Sequence, residues 1–229
     1  MNIHSAIING VNILKGKNIN SAQLDSEILL AKVIGQDRKY LILNNAENLR
    51  EENLRYFQIL INKRSLRKPI AQLINKKYFW KYEFHVTKDT LIPRPDTEVI
   101  VEQILKITKF KNKMNILDIG VGSGCILLTI LKERKDFHGV GIDISGKCLN
   151  ISKINAKNLE VYERVKFFKS DVDKFVQGKY DLIVSNPPYI DKISLKYLEK
   201  DVVSFEPKLA LDGGLDGLSE IRKVIKKSS

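Results

Sequence analysis

Apolar residues recur every three or four positions over roughly the first third of the chain and in alternating or short continuous runs after it, so two folding grammars meet in one polypeptide. Ile3, Ile7, Val11 and Leu14 share a helix face that Gly16 terminates. Ser21 is placed to cap a second helix that carries Leu24, Ile28 and Ala31 and closes at Gly35, and a third runs from Glu51 through Leu54, Phe57 and Ile61 toward Pro69. Residues 1–75 are thus expected to fold as a helical domain. Between Tyr78 and Val86 the period changes to two, with Tyr78, Trp80, Tyr82, Phe84 and Val86 alternating, which predicts a hairpin within a connector over 76–93. Pro93-Arg94-Pro95-Asp96-Thr97-Glu98 then opens a helix bearing Val99, Ile100 and Ile104, with Pro95 stiffening the entry and Asp96 or Thr97 as its cap. In the remaining domain, 94–229, strands over Asn115 to Ile119, Gly139 to Asp143, Val165 to Phe168 and Asp181 to Ser185 each precede a helix-compatible stretch. That alternation predicts an α/β fold with a parallel sheet.

At 229 residues and 43% hydrophobic content the chain can build a sizeable core. No run reaches the ~18 apolar residues of a membrane span and no signal-peptide pattern opens the chain, so a cytoplasmic protein without a membrane partner is expected. Cys125 and Cys148 both sit in apolar segments and read as buried thiols rather than a disulfide, and His4, His85 and His138 have no metal-ligand spacing. A net charge of +12 suits an acidic partner, yet the lysines are spread along the whole chain, as on a merely solvated basic surface.

Two motifs bear on chemistry. Gly120-Val121-Gly122-Ser123-Gly124 follows a strand and precedes a helix, the setting in which a ligand approaches backbone closely. Its G-x-G-x-G spacing is one residue short of the dinucleotide pattern, so a different nucleoside fits better. The next strand ends in Asp143, whose carboxylate can accept both hydroxyls of a ribose, and the third ends at Asp171-Val172, where the acid is either a helix cap or a ligand group near an adenine amine. The fourth runs into Asn186-Pro187-Pro188-Tyr189. Two prolines fix φ and remove competing N–H donors, so the Asn186 side-chain oxygen and the Pro187 carbonyl can both accept from one planar NH2 group, with Tyr189 available to stack on it.

With these motifs in order, the chain resembles a class I S-adenosylmethionine-dependent methyltransferase, and more closely the HemK-type release factor glutamine methyltransferases, over essentially its whole length. Phe79-Trp80, Leu91 to Glu98, the glycine turn, Ser185 to Ile190 and Phe205-Glu206-Pro207 contribute to the resemblance. It implies a Rossmann-like parallel sheet with an N-terminal helical domain that helps to dock the protein substrate. It further implies that Gly120 to Gly124 wrap the methionine part of S-adenosyl-L-methionine, that Asp143 holds its ribose, and that Asp171 and the Val172 N–H meet adenine. Asn186 and Pro187, with Pro188 and Tyr189, would hold the side-chain amide of the glutamine in the Gly-Gly-Gln loop of peptide-chain release factors. No stable nucleic acid binding is expected. Two other readings stand beside this one. Adenine amino-methyltransferases that flip a base use a similar Asn/Asp-Pro-Pro-aromatic turn. The family fold also continues, after a helix at about 215–227, through a further strand, a helix and a closing strand pair. The sheet is therefore expected to be C-terminally incomplete, with an exposed fourth strand, and the chain alone poorly stable or an inactive binder.

Overall fold

The first 74 residues of the computed structural model, which describes residues 1–175 and 178–228, form a helical unit with its own apolar centre. Its elements are α1 (Ile3–Lys15), α2 (Ala22–Ile34), α3 (Arg38–Leu43), α4 (Glu51–Ser65) and α5 (Ile70–Ile74). Ile3, Leu14, Leu29, Leu30, Phe57 and Ile61 are buried together, as the three-to-four spacing requires. Asn2 caps α1 by accepting the Ser5 N–H, and Gly35 closes α2 in the left-handed conformation. Ser21 does not cap α2; its hydroxyl donates instead to Asp25, whose carboxylate is buried against the Arg64 guanidinium at 2.7 Å. The helices α3 and α5, six and five residues long, are too short to show a period in the sequence.

From residue 75 onward the second unit begins with a hairpin, β1 (Lys76–Phe79) and β2 (Tyr82–His85), in antiparallel register from Lys76↔His85 to Phe79↔Tyr82. Its turn is bolted down on three sides. The Trp80 backbone N–H donates to Glu98 at 2.7 Å, the Trp80 indole N–H to Glu133 at 3.2 Å, and the Tyr82 hydroxyl to the same Glu133 carboxylate at 2.7 Å. These acceptors lie on α6 (Glu98–Ile107) and α7 (Cys125–Glu133). Ahead of α6 a 3-10 turn, Pro95–Thr97, occupies the place where a side-chain cap was expected, and neither Asp96 nor Thr97 caps the helix.

The sheet is parallel: β3 (Asn115–Ile119), β4 (His138–Asp143), β5 (Val165–Lys169) and β6 (Leu182–Ser185), in spatial order β5-β4-β3-β6. Asp181 falls just outside β6, and its carboxylate accepts the Asn115 N–H at the strand entrance. The remaining helices are α8 (Gly146–Asn158), α9 (Lys200–Phe205) and α10 (Ser219–Ser228). Phe79, Phe84, Ile116, Leu127, Ile130, Leu131 and Phe137 form the buried centre between hairpin, sheet and helices. The chain runs from β3 outward to β4 and β5, then returns to place β6 on the other side of β3. The reversal leaves a crevice at the C-terminal ends of β3 and β6.

Candidate active site

Strand register brings the chemistry to one edge of the sheet. Ile119 pairs with both Ile142 and Ser185, so the glycine turn after β3, Asp143 at the end of β4 and Asn186 after β6 leave the sheet side by side. They border a cavity of about 340 Å³, also lined by Asp171, Val172, Pro187 and Pro188. That volume lies in the range of small-molecule sites.

The glycine turn is held at both of its faces. The Gly120 and Val121 N–H groups donate to Ile142 O, each at 2.9 Å, and the Gly122 N–H donates to Asp143 Oδ2 at 3.0 Å. On the other side, Ser152 Oγ donates to Gly122 O at 2.7 Å and Asn155 Nδ2 donates to Ser123 O at 2.8 Å. Asn155 also exchanges two hydrogen bonds with the backbone of His85, which couples the turn to the hairpin. Neither Ser152 nor Asn155 was legible as a site residue, although Cys148, Ser152 and Asn155 recur on one helix face and form a polar stripe that apolar periodicity overlooks. Gly120 has φ of 75°, and a Cβ there would meet no protein atom within 4 Å, so the space before the turn is open.

Two carboxylates face this space. Asp143 is pushed above the ordinary carboxylate range by burial, against the pull of the Ser145 and Gly122 N–H groups. Each of its oxygens accepts one of those bonds and keeps further acceptor capacity at the cavity wall. Asp118, in β3 and 1% exposed, is raised to about 7, first by burial and then by the Asp143 charge, while the Leu127 N–H in the first turn of α7 works the other way. Burial likewise raises the Cys125 thiol to about 12 and Cys148 to about 11, so neither is a nucleophile at neutral pH. Asp171 stands at the start of a 3-10 turn, Val172–Lys174, without capping it through its side chain. Its neighbour across the cavity is α10, which contributes Glu220, Lys223 and Val224 to the lining.

At the far end, Asn186 Nδ2 donates to Thr97 Oγ1 at 3.4 Å. Among the described residues no hydrogen bond reaches Asn186 Oδ1 or the Pro187 carbonyl. The facing walls are Leu91, Pro93 and Arg94 on one side and Pro207, Leu209 and Ala210 on the other. Arg94 and Glu206 pair across them, and the buried Glu206 carboxylate also accepts the Ile92 N–H at 3.1 Å. The cavity gathers all the expected site residues except two. Tyr189 is 65% exposed and does not line it, and Gly124 lies behind it as the N-cap of α7.

A parallel sheet with a glycine turn, a strand-end acid and a proline-stiffened corner on one edge defines a class I methyltransferase, an α/β enzyme that takes a nucleoside methyl donor. The fold is shared with the catalytic domain of hMettl16 in complex with a MAT2A 3'UTR hairpin, at a TM-score of 0.53 and 16% identity over 63% of this chain and 55% of that one. Residues 95–204 match the model of the methyltransferase small domain, and residues 5–74 that of the PrmC N-terminal domain. A release factor glutamine methyltransferase of Buchnera aphidicola (strain APS) is 40% identical over 94% of this chain and 77% of its own length. The one from Clostridium acetobutylicum is 38% identical over 100% of this chain and 81% of its own. The chain belongs to the release factor glutamine methyltransferase family. Among the described residues no helix is long and apolar enough to cross a membrane.

Proposed function

We propose that this protein transfers a methyl group from S-adenosyl-L-methionine to the side-chain amide nitrogen of the glutamine in the Gly-Gly-Gln loop of peptide-chain release factors. One observation supports the reading above the rest: two adjacent acceptors without partners among the described residues, Asn186 Oδ1 and the Pro187 carbonyl, lie at the edge of the cavity that the glycine turn and Asp143 border. The residues suit the donor: the open space before Gly120 would take its methionine end, Asp143 would accept from two ribose hydroxyls, and Asp171 with the Val172 N–H would offer an adenine edge an acceptor and a donor. When bound, the donor supplies an electrophilic sulfonium methyl.

The protein's own task is to make an amide nitrogen attack. That nitrogen shares its lone pair with a carbonyl and is a poor nucleophile. Acceptors on both of its N–H bonds orient the lone pair and stabilise the positive charge that develops, without reorganising during the step. Holding the partners in line converts a two-body encounter into a one-body step. Pro187 and Pro188 keep the corner rigid, and Thr97 keeps the Asn186 amide from turning. No strong base is needed, because the proton leaves after the nitrogen has become acidic. Residues 1–74 are assigned to docking the release factor, and the cytoplasm is the compartment in which that substrate occurs.

Incubation with a labelled methyl donor and either a release factor or adenine-containing DNA or RNA tests the reading. Label is expected on the glutamine of the release factor alone. Label on adenine amino groups would replace the reading with base methylation, in which the same corner would grip an exocyclic amine.

A further inference from the structure

Among the described residues no backbone hydrogen bond holds the Asn-Pro-Pro corner itself. Pro187 and Pro188 carry no N–H, and the first amide after them with a partner is that of Ile190, which donates to Leu211 O at 3.2 Å. Gly213 N–H returns a bond to Ile190 O at 2.8 Å, and Lys192 N–H donates to Gly214 O at 3.1 Å, so residues 190–192 and 211–214 zip together around an Ile190↔Asp212 bridge. The contact is backbone on backbone. A Cβ on Gly213 would lie 2.7 Å from Gly217 O and 2.8 Å from Tyr189 Cα. Gly217 has φ of 75°, and a Cβ there would lie 2.5 Å from Tyr189 O. Neither obstacle is the end of a flexible side chain, so either substitution must displace the Tyr189 backbone or the loop that holds it. Gly214 differs in this respect: its Cβ would meet only the Ser219 side chain.

We infer that the loop over residues 211–217 is a positioning brace for methyl transfer, in which Gly213 and Gly217 let a second backbone press against Tyr189 and so set where Asn186 and Pro187 present their acceptors. The inference rests on the reading of that corner as the amide-holding site. It also gives Tyr189 a place in the mechanism through its main chain, since its ring lies outside the cavity. The brace meets the cavity only through Asp212 and acts through Gly213 and Gly217, which do not line it. Its effect is to fix the approach of the nitrogen to the methyl, which enters the rate and not the affinity for either substrate.

The experiment compares the full chain with its Gly213→Ala, Gly217→Ala, Asn186→Ala and Gly178→Ala variants. Gly178 has a φ of 86° and its Cβ would meet only the Tyr180 side chain, so its substitution reproduces the backbone strain of Gly217→Ala without a collision against backbone. For Gly213→Ala and Gly217→Ala, kcat on a release factor is expected to fall at least about tenfold, while the calorimetric Kd for S-adenosyl-L-methionine and the KM for the release factor stay within about threefold. Gly178→Ala is expected to keep the parent kcat. Parent-like kcat in folded Gly213→Ala and Gly217→Ala, with Asn186→Ala still defective, would overturn the brace and leave the site reading intact. Parent-like kcat in Asn186→Ala would remove the reading and the brace together. Should the glycine variants not fold, hydrogen exchange of the parent decides: the Ile190 and Gly213 amides are expected to exchange at rates within about a factor of ten, as one cooperative unit. Much faster exchange at Ile190 would overturn the proposal.

Discussion

A carboxamide at position 186 is spoken for at its nitrogen by Thr97 and has an unpartnered oxygen, and that asymmetry makes it a one-way acceptor. Asn186→Ala is expected to lose about 2–4 kcal/mol of transition-state stabilisation, the scale for removing one fixed dipole, with donor affinity preserved. Single-turnover methylation of a release factor measures the loss. Asp118 leads to a different expectation, about acidity. Its folded-state value of about 7 lies above the ordinary 3.8, so the folded state keeps a proton that the unfolded chain has released. Its contribution to stability is therefore complete below about pH 4 and disappears as the pH rises through about 7. Denaturant midpoints of the unliganded protein, parent minus Asp118→Asn, are expected to fall across that window; a pH-independent difference would mean that Asp118 ionises normally.

At the scale of elements, the segment before α6 and the segment after α9 are stapled by one buried carboxylate. Glu206→Ala leaves the Ile92 N–H without its acceptor and Arg94 without its counter-charge. Urea unfolding is expected to register a loss of about 1–3 kcal/mol, most of it from the buried amide, because Arg94 is 39% exposed and its charge is screened. Glu206→Gln, which keeps an acceptor, is expected to recover part of it. In the sequence the first of these segments reads as a helix start and the second only as a family likeness. Neither Arg94 nor Glu206 belongs to a period, and their pairing spans 112 positions along the chain. The strands were legible to within a residue or two, because buried parallel strands are short apolar runs and each ends at a glycine, an acid or an asparagine. The acids and the glycine turn were legible for the same reason: they sit at strand ends, where the architecture delivers ligand groups. Side chains that support the turn from behind, Ser152 and Asn155, were not, since a polar residue within a helix ordinarily faces water. Helix caps failed at Ser21 and Thr97, where other side chains took the hydroxyls: Asp25, four residues on, and Asn186, 89 positions away.

On the scale of the whole molecule, two apolar centres share no residue: one is drawn entirely from positions 3–73 and the other from positions 79–184. Phe57→Ala, a large cut in the first, is expected to cost that unit about 3–5 kcal/mol and to leave the calorimetric affinity for S-adenosyl-L-methionine unchanged. A matching drop in affinity would mean that the helical unit supports the donor site.

Trp80 is the sole tryptophan among the 229 residues, and its indole is tethered to Glu133 inside the clamp on α6 and α7. Residues 1–74 contain no tryptophan; their aromatic residues are Tyr40, Tyr56 and Phe57. Excitation at the red edge of protein absorption therefore lights one unit of the polypeptide and leaves the other dark. The chain has a native optical probe seated at the hairpin, and the melting of the two units can be told apart without attaching a dye.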